Sequence, residues 1–117
     1  MLHMNSDLLN EKFNSILPVV EFINENYDKN HSIQDYADLC NYNKYYLIKL
    51  FSKYTGMSPV LYRTKIRIEK AKELMISTEL NNTQVAELVG YSSPYYFGRM
   101  FKMHTGYSPE KYRIKYK

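Results

Sequence analysis

Tryptophan is absent from this chain, cysteine occurs once, and glycine and proline occur four times each among 117 residues. Each scarcity excludes something. The one cysteine, Cys40, cannot close an internal disulfide, which suits a reducing cytoplasm. It falls on an apolar helix face and is expected to be buried rather than reactive. His3, His31 and His104 stand at no metal-ligand spacing, so neither a metal nor a cofactor is expected. With no cysteine cluster, no Ser/His/Asp set and no phosphate loop, the chain is not expected to be an enzyme. No stretch reaches the run of about 18 apolar residues that a membrane span needs. No basic-plus-apolar signal segment opens the chain. Strand signals are weak throughout, and Gly56, Gly90 and Gly106 fall where helices should stop. The chain therefore reads as all-α.

What is present is unevenly distributed. The 44% hydrophobic and 24% charged residues are ordinary for a globular protein, and the length fits one compact domain or two very small ones. The formal charge of +4 hides an asymmetry. Residues 1–40 hold Lys12 and Lys29 against seven acids, a net of −5, whereas residues 41–117 hold 14 Lys and Arg against five acids, a net of +9. A concentrated basic surface is the usual electrostatic footprint of nucleic-acid binding, although a solvated lysine-rich face gives the same count.

The basic part contains an internal repeat. Phe51, Thr55, Gly56, Ser58, Pro59, Tyr62 and Arg63 recur 50 positions later as Phe101, Thr105, Gly106, Ser108, Pro109, Tyr112 and Arg113. Ahead of a central turn the offset is 49, pairing Ala37 with Ala86 and Leu39 with Leu88, so one residue is inserted at the second turn. A repeat of this kind means that one structural unit is used twice.

Helix signals follow the same plan. Residues 5–17 carry a stripe of Leu8, Leu9, Phe13 and Ile16, which Pro18 should interrupt unless it starts the next helix. A helix from Pro18 to about Tyr27 presents Val19, Val20, Ile23 and Tyr27. Ser32 caps a short helix to about Cys40, with Ile33, Tyr36, Ala37 and Cys40 inward. After a turn at Asn41-Tyr42, Asn43 caps a helix to about Tyr54 that buries Leu47, Leu50, Phe51 and Tyr54. Ser58-Pro59 starts a helix of about 18 residues to Ser77, about 27 Å long. It should bury Leu61, Tyr62, Ile66, Ile68, Ala71, Leu74 and Met75. The second copy runs from about Asn82 to Val89, turns at Gly90-Tyr91, is capped by Ser92 or Ser93, and continues to His104. Ser108-Pro109 starts a final helix.

A short helix, a tight turn and a second helix form a helix-turn-helix. A plain αα-hairpin would explain the helices but not the outward Lys44, Lys49 and Lys53 in one copy and Arg99 and Lys102 in the other. Within this frame the motif Ala86-x-x-x-Gly90-Tyr91-Ser92-Ser93-x-x-Tyr96-Phe97-x-Arg99-x-Phe101-Lys102-x-x-x-Thr105-Gly106-x-Ser108-Pro109-x-x-Tyr112-Arg113 resembles the C-terminal DNA-binding domain of AraC/XylS-type bacterial transcription regulators. Arg67-Ile68-x-x-Ala71-x-x-Leu74-Met75 is similar to that family's linker-helix signature. The resemblance covers about residues 18–115. The chain departs from it in Asn82, where isoleucine is usual and which should loosen the start of the fifth helix. It departs also in Gly98, inside the second recognition helix, and in the outward Ile48.

The resemblance implies about seven helices, with two helix-turn-helix units joined by a long central helix. Residues 1–17 would be a leader or interdomain linker and 18–117 the DNA-binding domain, divided into 18–58, the linker helix 59–77, and 78–117. It implies a sequence-specific regulator, more often an activator, working in the cytoplasm on double-stranded DNA and touching RNA polymerase. The family's sensor domain would lie upstream, making this chain an excised domain or a minimal regulator. By position, the base-facing residues are Tyr45, Ile48 and Lys49 in the first recognition helix and Tyr95, Tyr96 and Arg99 in the second. Arg99 suits a bidentate contact to guanine. Lys49 reaches guanine or phosphate less selectively, and Ile48 meets only a thymine methyl. Tyr46, one step further round, is expected to be buried. Phosphate contacts are expected from Asn43, Lys44, Lys53, Ser92, Ser93 and Lys102, which stand at helix starts and edges. Tyr62, Arg63, Tyr112 and Arg113 should tie each following helix back onto its own unit, and Arg67 should pair with an acid rather than DNA.

Overall fold

The computed structural model of the chain describes the backbone of residues 2–117 and the side chains of residues 11–117. Leu8 and Leu9 of the leading stripe lie outside the described side chains. Seven helices are present among the described residues: α1 (Leu2–Glu25), α2 (Ile33–Asp38), α3 (Lys44–Thr55), α4 (Pro59–Ser77), α5 (Asn82–Leu88), α6 (Pro94–Thr105) and α7 (Pro109–Tyr116). They fall into two compact units. The first holds residues up to Asn26 together with His31–Arg63, and the second holds Tyr27–Asn30 and Thr64–Lys117.

In the first unit α3 packs against α1 and α2. Its core is Ile16, Val19, Ile23, Tyr36, Ala37, Leu47, Leu50 and Phe51. The α1 helix runs through Pro18, where the sequence suggested an interruption or a fresh start. Proline in a helix interior forfeits one hydrogen bond and costs about 3 kcal/mol. Ile16, Val19 and Ile23 lie on both sides of it and are fully buried. Each such burial contributes about 1.5–3 kcal/mol, so packing outweighs the local penalty.

In the second unit α6 packs against α5 and α7. Its core is Ile68, Ala71, Met75, Val85, Ala86, Val89, Tyr91, Phe97 and Phe101. The buried residues of α4 repeat the spacing of those of α1: Ile68, Ala71 and Met75 stand 52 positions after Ile16, Val19 and Ile23. The duplication thus reaches back into α1, beyond the motif visible in the sequence. Leu61, expected inside, is 46% exposed instead. At that end of α4 the side chain that meets a core is Tyr62, which sits edge-on to Phe51 at 5.6 Å.

The helix ends follow from local chemistry. Ser32, Asn43, Asn81, Ser93 and Ser108 are the N-caps of α2, α3, α5, α6 and α7, each accepting from the backbone N–H three residues on. Gly56 (φ 80°) and Gly106 (φ 82°) close α3 and α6 in the left-handed conformation. The Thr55 hydroxyl donates to Phe51 O at 2.8 Å and accepts from Met57 N–H at 3.3 Å. Thr105 repeats both bonds with Phe101 O and Tyr107 N–H.

Candidate nucleic-acid interface

The two turns are superimposable in their chemistry. Tyr42 N–H donates to Ala37 O and Tyr91 N–H to Ala86 O, each bond closing the turn over the small residue of the preceding helix. The residue before each tyrosine is left-handed: Asn41 at φ 58° and Gly90 at φ 107°. Since Ser93 is the N-cap that corresponds to Asn43, the inserted residue is Ser92, which stands exposed between the turn and the cap.

These turns fix which way the second helices face. Leu47, Leu50 and Phe51 hold α3 to its core, and Phe97 and Phe101 hold α6. The opposite sides are therefore in solvent. Tyr45 is 73% exposed and Tyr95 77%, the same position two residues into each helix. Ile48, Lys49, Tyr96, Arg99, Lys53 and Lys102 are also exposed, and Lys44 is half-buried with its ammonium 5.3 Å from the Tyr45 ring centre. Neither α3 nor α6 contains an acidic residue. Among the described residues no ion pair engages Lys44, Lys49, Lys53, Arg99 or Lys102, so their charges stay available for an external anion.

Tyr46 corrects one expectation. It is 38% exposed, with its ring edge-on to Tyr42 at 4.8 Å. Its counterpart Tyr96 is 50% exposed and edge-on to Tyr91 at 5.8 Å. Both occupy the third position of their helices, so the two units present equivalent half-exposed rings. The repeat itself carried that signal.

Asn43 and Ser93 use their side-chain oxygens to accept from Tyr46 N–H (2.8 Å) and Tyr96 N–H (3.1 Å). For a phosphate they retain their donors, an amide NH₂ and a hydroxyl hydrogen. Within the two helix-turn-helix pairs the acids lie instead on α2 and α5: Asp35, Asp38 and Glu87. The Asp35 carboxyl is held below its ordinary pKa by the Ser32 backbone N–H and, next, the Ser32 hydroxyl. Cys40 is half-buried, and burial pushes its thiol pKa up.

Three arginines hold the elements behind these faces, Arg63 and Arg113 half-buried and Arg67 buried. Arg63 donates to His31 O (2.8 Å) and Tyr36 OH (3.0 Å), fastening the start of α4 to α2. Its repeat partner Arg113 donates to Met75 O, Leu80 O and Asn82 Oδ1, fastening α7 to the segment before α5. Asn82 is thereby engaged, and the Asn81/Gln84 capping box spans it, so the start of α5 is tied rather than loose. Arg67, 4% exposed, donates to the carbonyls of Tyr27 and Lys29 and to Asn30 Oδ1, and lies 5.0 Å from the Tyr91 ring centre. Through these bonds it caps the 27–30 loop. The Tyr91 hydroxyl pKa is raised by burial, against the opposing field of Arg67.

Among the described residues no His, Cys, Asp or Glu cluster could hold a metal ion, and no helix is long and apolar enough to cross a membrane. The helix-turn-helix domain family matches residues 36–115, more than half of the chain. The lactose operon transcription activator of Staphylococcus xylosus is 39% identical over 88 residues, 75% of this chain and 30% of that protein. The chain thus spans about a third of the length of the curated relatives it matches. The C-terminal domain of AraT, a response regulator from Geobacillus stearothermophilus, superposes with a TM-score of 0.82 at 33% identity, covering 86% of this chain and 84% of that one. The DNA-binding domain of AdpA, solved with a target DNA, shares the fold at TM-score 0.82 and 23% identity, covering 86% of this chain and 91% of that one. The chain belongs to the AraC/XylS-type helix-turn-helix family of DNA-binding transcription regulators.

Proposed function

We propose that this chain reads two half-sites of one operator, with α3 in one major groove segment and α6 in the next, as the DNA-binding part of a transcription activator. The observation that carries the reading is the pair of outward faces. Tyr45, Ile48 and Lys49 on α3 occupy the positions of Tyr95, Gly98 and Arg99 on α6, with no acid on either helix and, among the described residues, no internal ion pair at these positions. Arg99 makes the most selective contact, a fork to guanine O6 and N7, while Lys49 supplies a less directional one. Lys44, Lys53, Lys102 and the donors of Asn43, Ser92 and Ser93 hold phosphates and set the register.

The rest of such a regulator would supply the sensing. The greater length of the relatives supports a sensor domain outside this segment, and the activator named among them supports contact with RNA polymerase in the cytoplasm. Binding rather than catalysis is the role we assign to the domain. Selection of bound sites from a random DNA pool tests this. The expected outcome is a site with two conserved blocks whose centres lie about one helical turn, roughly 34 Å, apart. A pool that emerges unenriched would remove sequence reading from the chain, and enrichment of one block alone would remove the second half-site.

A further inference from the structure

Gly98 lies in the interior of α6 in ordinary helical backbone, and nothing approaches within 4 Å of the position a β-carbon would take. Neither a turn nor a close contact inside this chain requires glycine there, and glycine weakens a helix interior relative to alanine. Its surface neighbours, three positions before and four after, are Tyr95 and Lys102. Arg99 follows it, and all three side chains are exposed. The face assigned above to DNA therefore carries a notch one carbon deep, open on all sides, between the Tyr95 and Lys102 positions of the helix surface. The matching position of α3 holds Ile48, 36% exposed, so the two faces differ here in relief.

We infer that Gly98 is a specificity-determining residue whose notch receives the 5-methyl group of a thymine in the second half-site. The inference rests on the DNA-reading role proposed above. Thymine alone presents a methyl group on the major-groove edge. A bare α-carbon lets that methyl reach the helix backbone while Arg99 keeps its distance to a neighbouring base. In the first half-site Ile48 fills the corresponding space, so a methyl there meets a side chain instead of a recess.

The test crosses one methyl group on the protein with one on the DNA. Gly98→Ala fills the notch, and replacing each thymine of the selected site in turn by deoxyuridine empties it. The variant is expected to melt a few degrees higher than the native chain, because the added methyl meets open space in a helix. On the selected site it should bind about tenfold more weakly. At one deoxyuridine position that loss should disappear, with binding to random DNA unchanged throughout. Equal affinity of both proteins for the selected site, or the same loss at every deoxyuridine position, overturns the inference. A native chain that selects no sequence overturns the proposed function and this inference together, and the selection step reports that first.

Discussion

The two helix-turn-helix units put the same chemistry at the same positions and then diverge where each faces its own surroundings. At the left-handed turn position the first unit has Asn41, exposed, and the second has Gly90. A β-carbon at Gly90 would lie 2.7 Å from Asp28 O and 2.8 Å from Arg67 Cζ. The buried Arg67 occupies that space to cap the 27–30 tract, and only glycine leaves room for it. At the third position of the first helix the units have Asp35 and Gln84, one ionisable and one not. On the outward face they have Ile48 and Gly98, then Lys49 and Arg99. Duplication preserved the frame, and the differences sit where packing, pH response and DNA reading can each be assigned to one unit.

The largest contrast is expected at the turns. Gly90→Ala combines a left-handed conformation, about 1–2 kcal/mol for a non-glycine residue, with overlap in a packed site, about 1–3 kcal/mol. The sum is a loss of about 2–5 kcal/mol. Asn41→Ala meets only the conformational part, about 1 kcal/mol. Urea unfolding of the two variants measures both, and equal losses would erase the asymmetry between the turns.

Next come the clamps. Arg113→Ala strips donors from two carbonyls and an amide oxygen, and Arg63→Ala from one carbonyl and a phenol. Hydrogen bonds from charged groups contribute about 1.5–3 kcal/mol, so Arg113→Ala should cost about 2–3 kcal/mol and Arg63→Ala about 1 kcal/mol less. The reverse order would show that the first unit depends on its clamp more than the bond pattern indicates.

On DNA the contrast lies between Arg99 and Lys49. Arg99→Ala should relax discrimination at one base pair of the second half-site by about 1–3 kcal/mol, and Lys49→Ala should relax the first half-site less sharply. Lys102→Ala should weaken all sequences alike and lower the salt slope by about one. Competition binding against single-base variants separates these cases. Equal losses for Arg99→Ala on specific and random DNA would move Arg99 to the phosphate contacts.

Much of this frame was legible in the sequence because caps and stops are local. Ser32, Asn43 and Ser108-Pro109 mark helix starts through their own side chains, and Gly56 and Gly106 mark ends through their own backbones. The seven identities of the repeat then gave the outward faces by counting. What escaped depended on distant partners. Pro18 reads as a break until three buried aliphatic side chains outweigh it. The bonds from Arg67 to the 27–30 tract span about 40 positions, and nothing local announces them. Leu61 reads as core because helical spacing does not say which of two neighbouring apolar residues turns inward. Tyr46 was the avoidable error, since Tyr96 had already been placed outside and the repeat makes them equivalent.

The smallest expected effect is also the most local. In the first capping box Ser32 N–H donates to Asp35 Oδ2 at 2.9 Å, and in the second Asn81 N–H donates to Gln84 Oε1 at 2.9 Å. Hydrogen bonds from Ser32, with a smaller contribution from His31 at 3.7 Å, lower the Asp35 pKa from 3.8. A carboxylate whose pKa is lower folded than unfolded stabilises the fold above its unfolded value, and that contribution disappears as pH falls through the folded one. The first unit should therefore lose its box as the pH falls below 3.8 and through the lowered folded value, while the second keeps its own, since an amide does not titrate there. Proton chemical shifts follow this directly. The Ser32 amide should move on acidification from pH 6 to 2.5, the Asn81 amide should stay, and Asp35→Asn should flatten the Ser32 curve. Parallel movement of both amides would mean that acid loosens the units together rather than through Asp35.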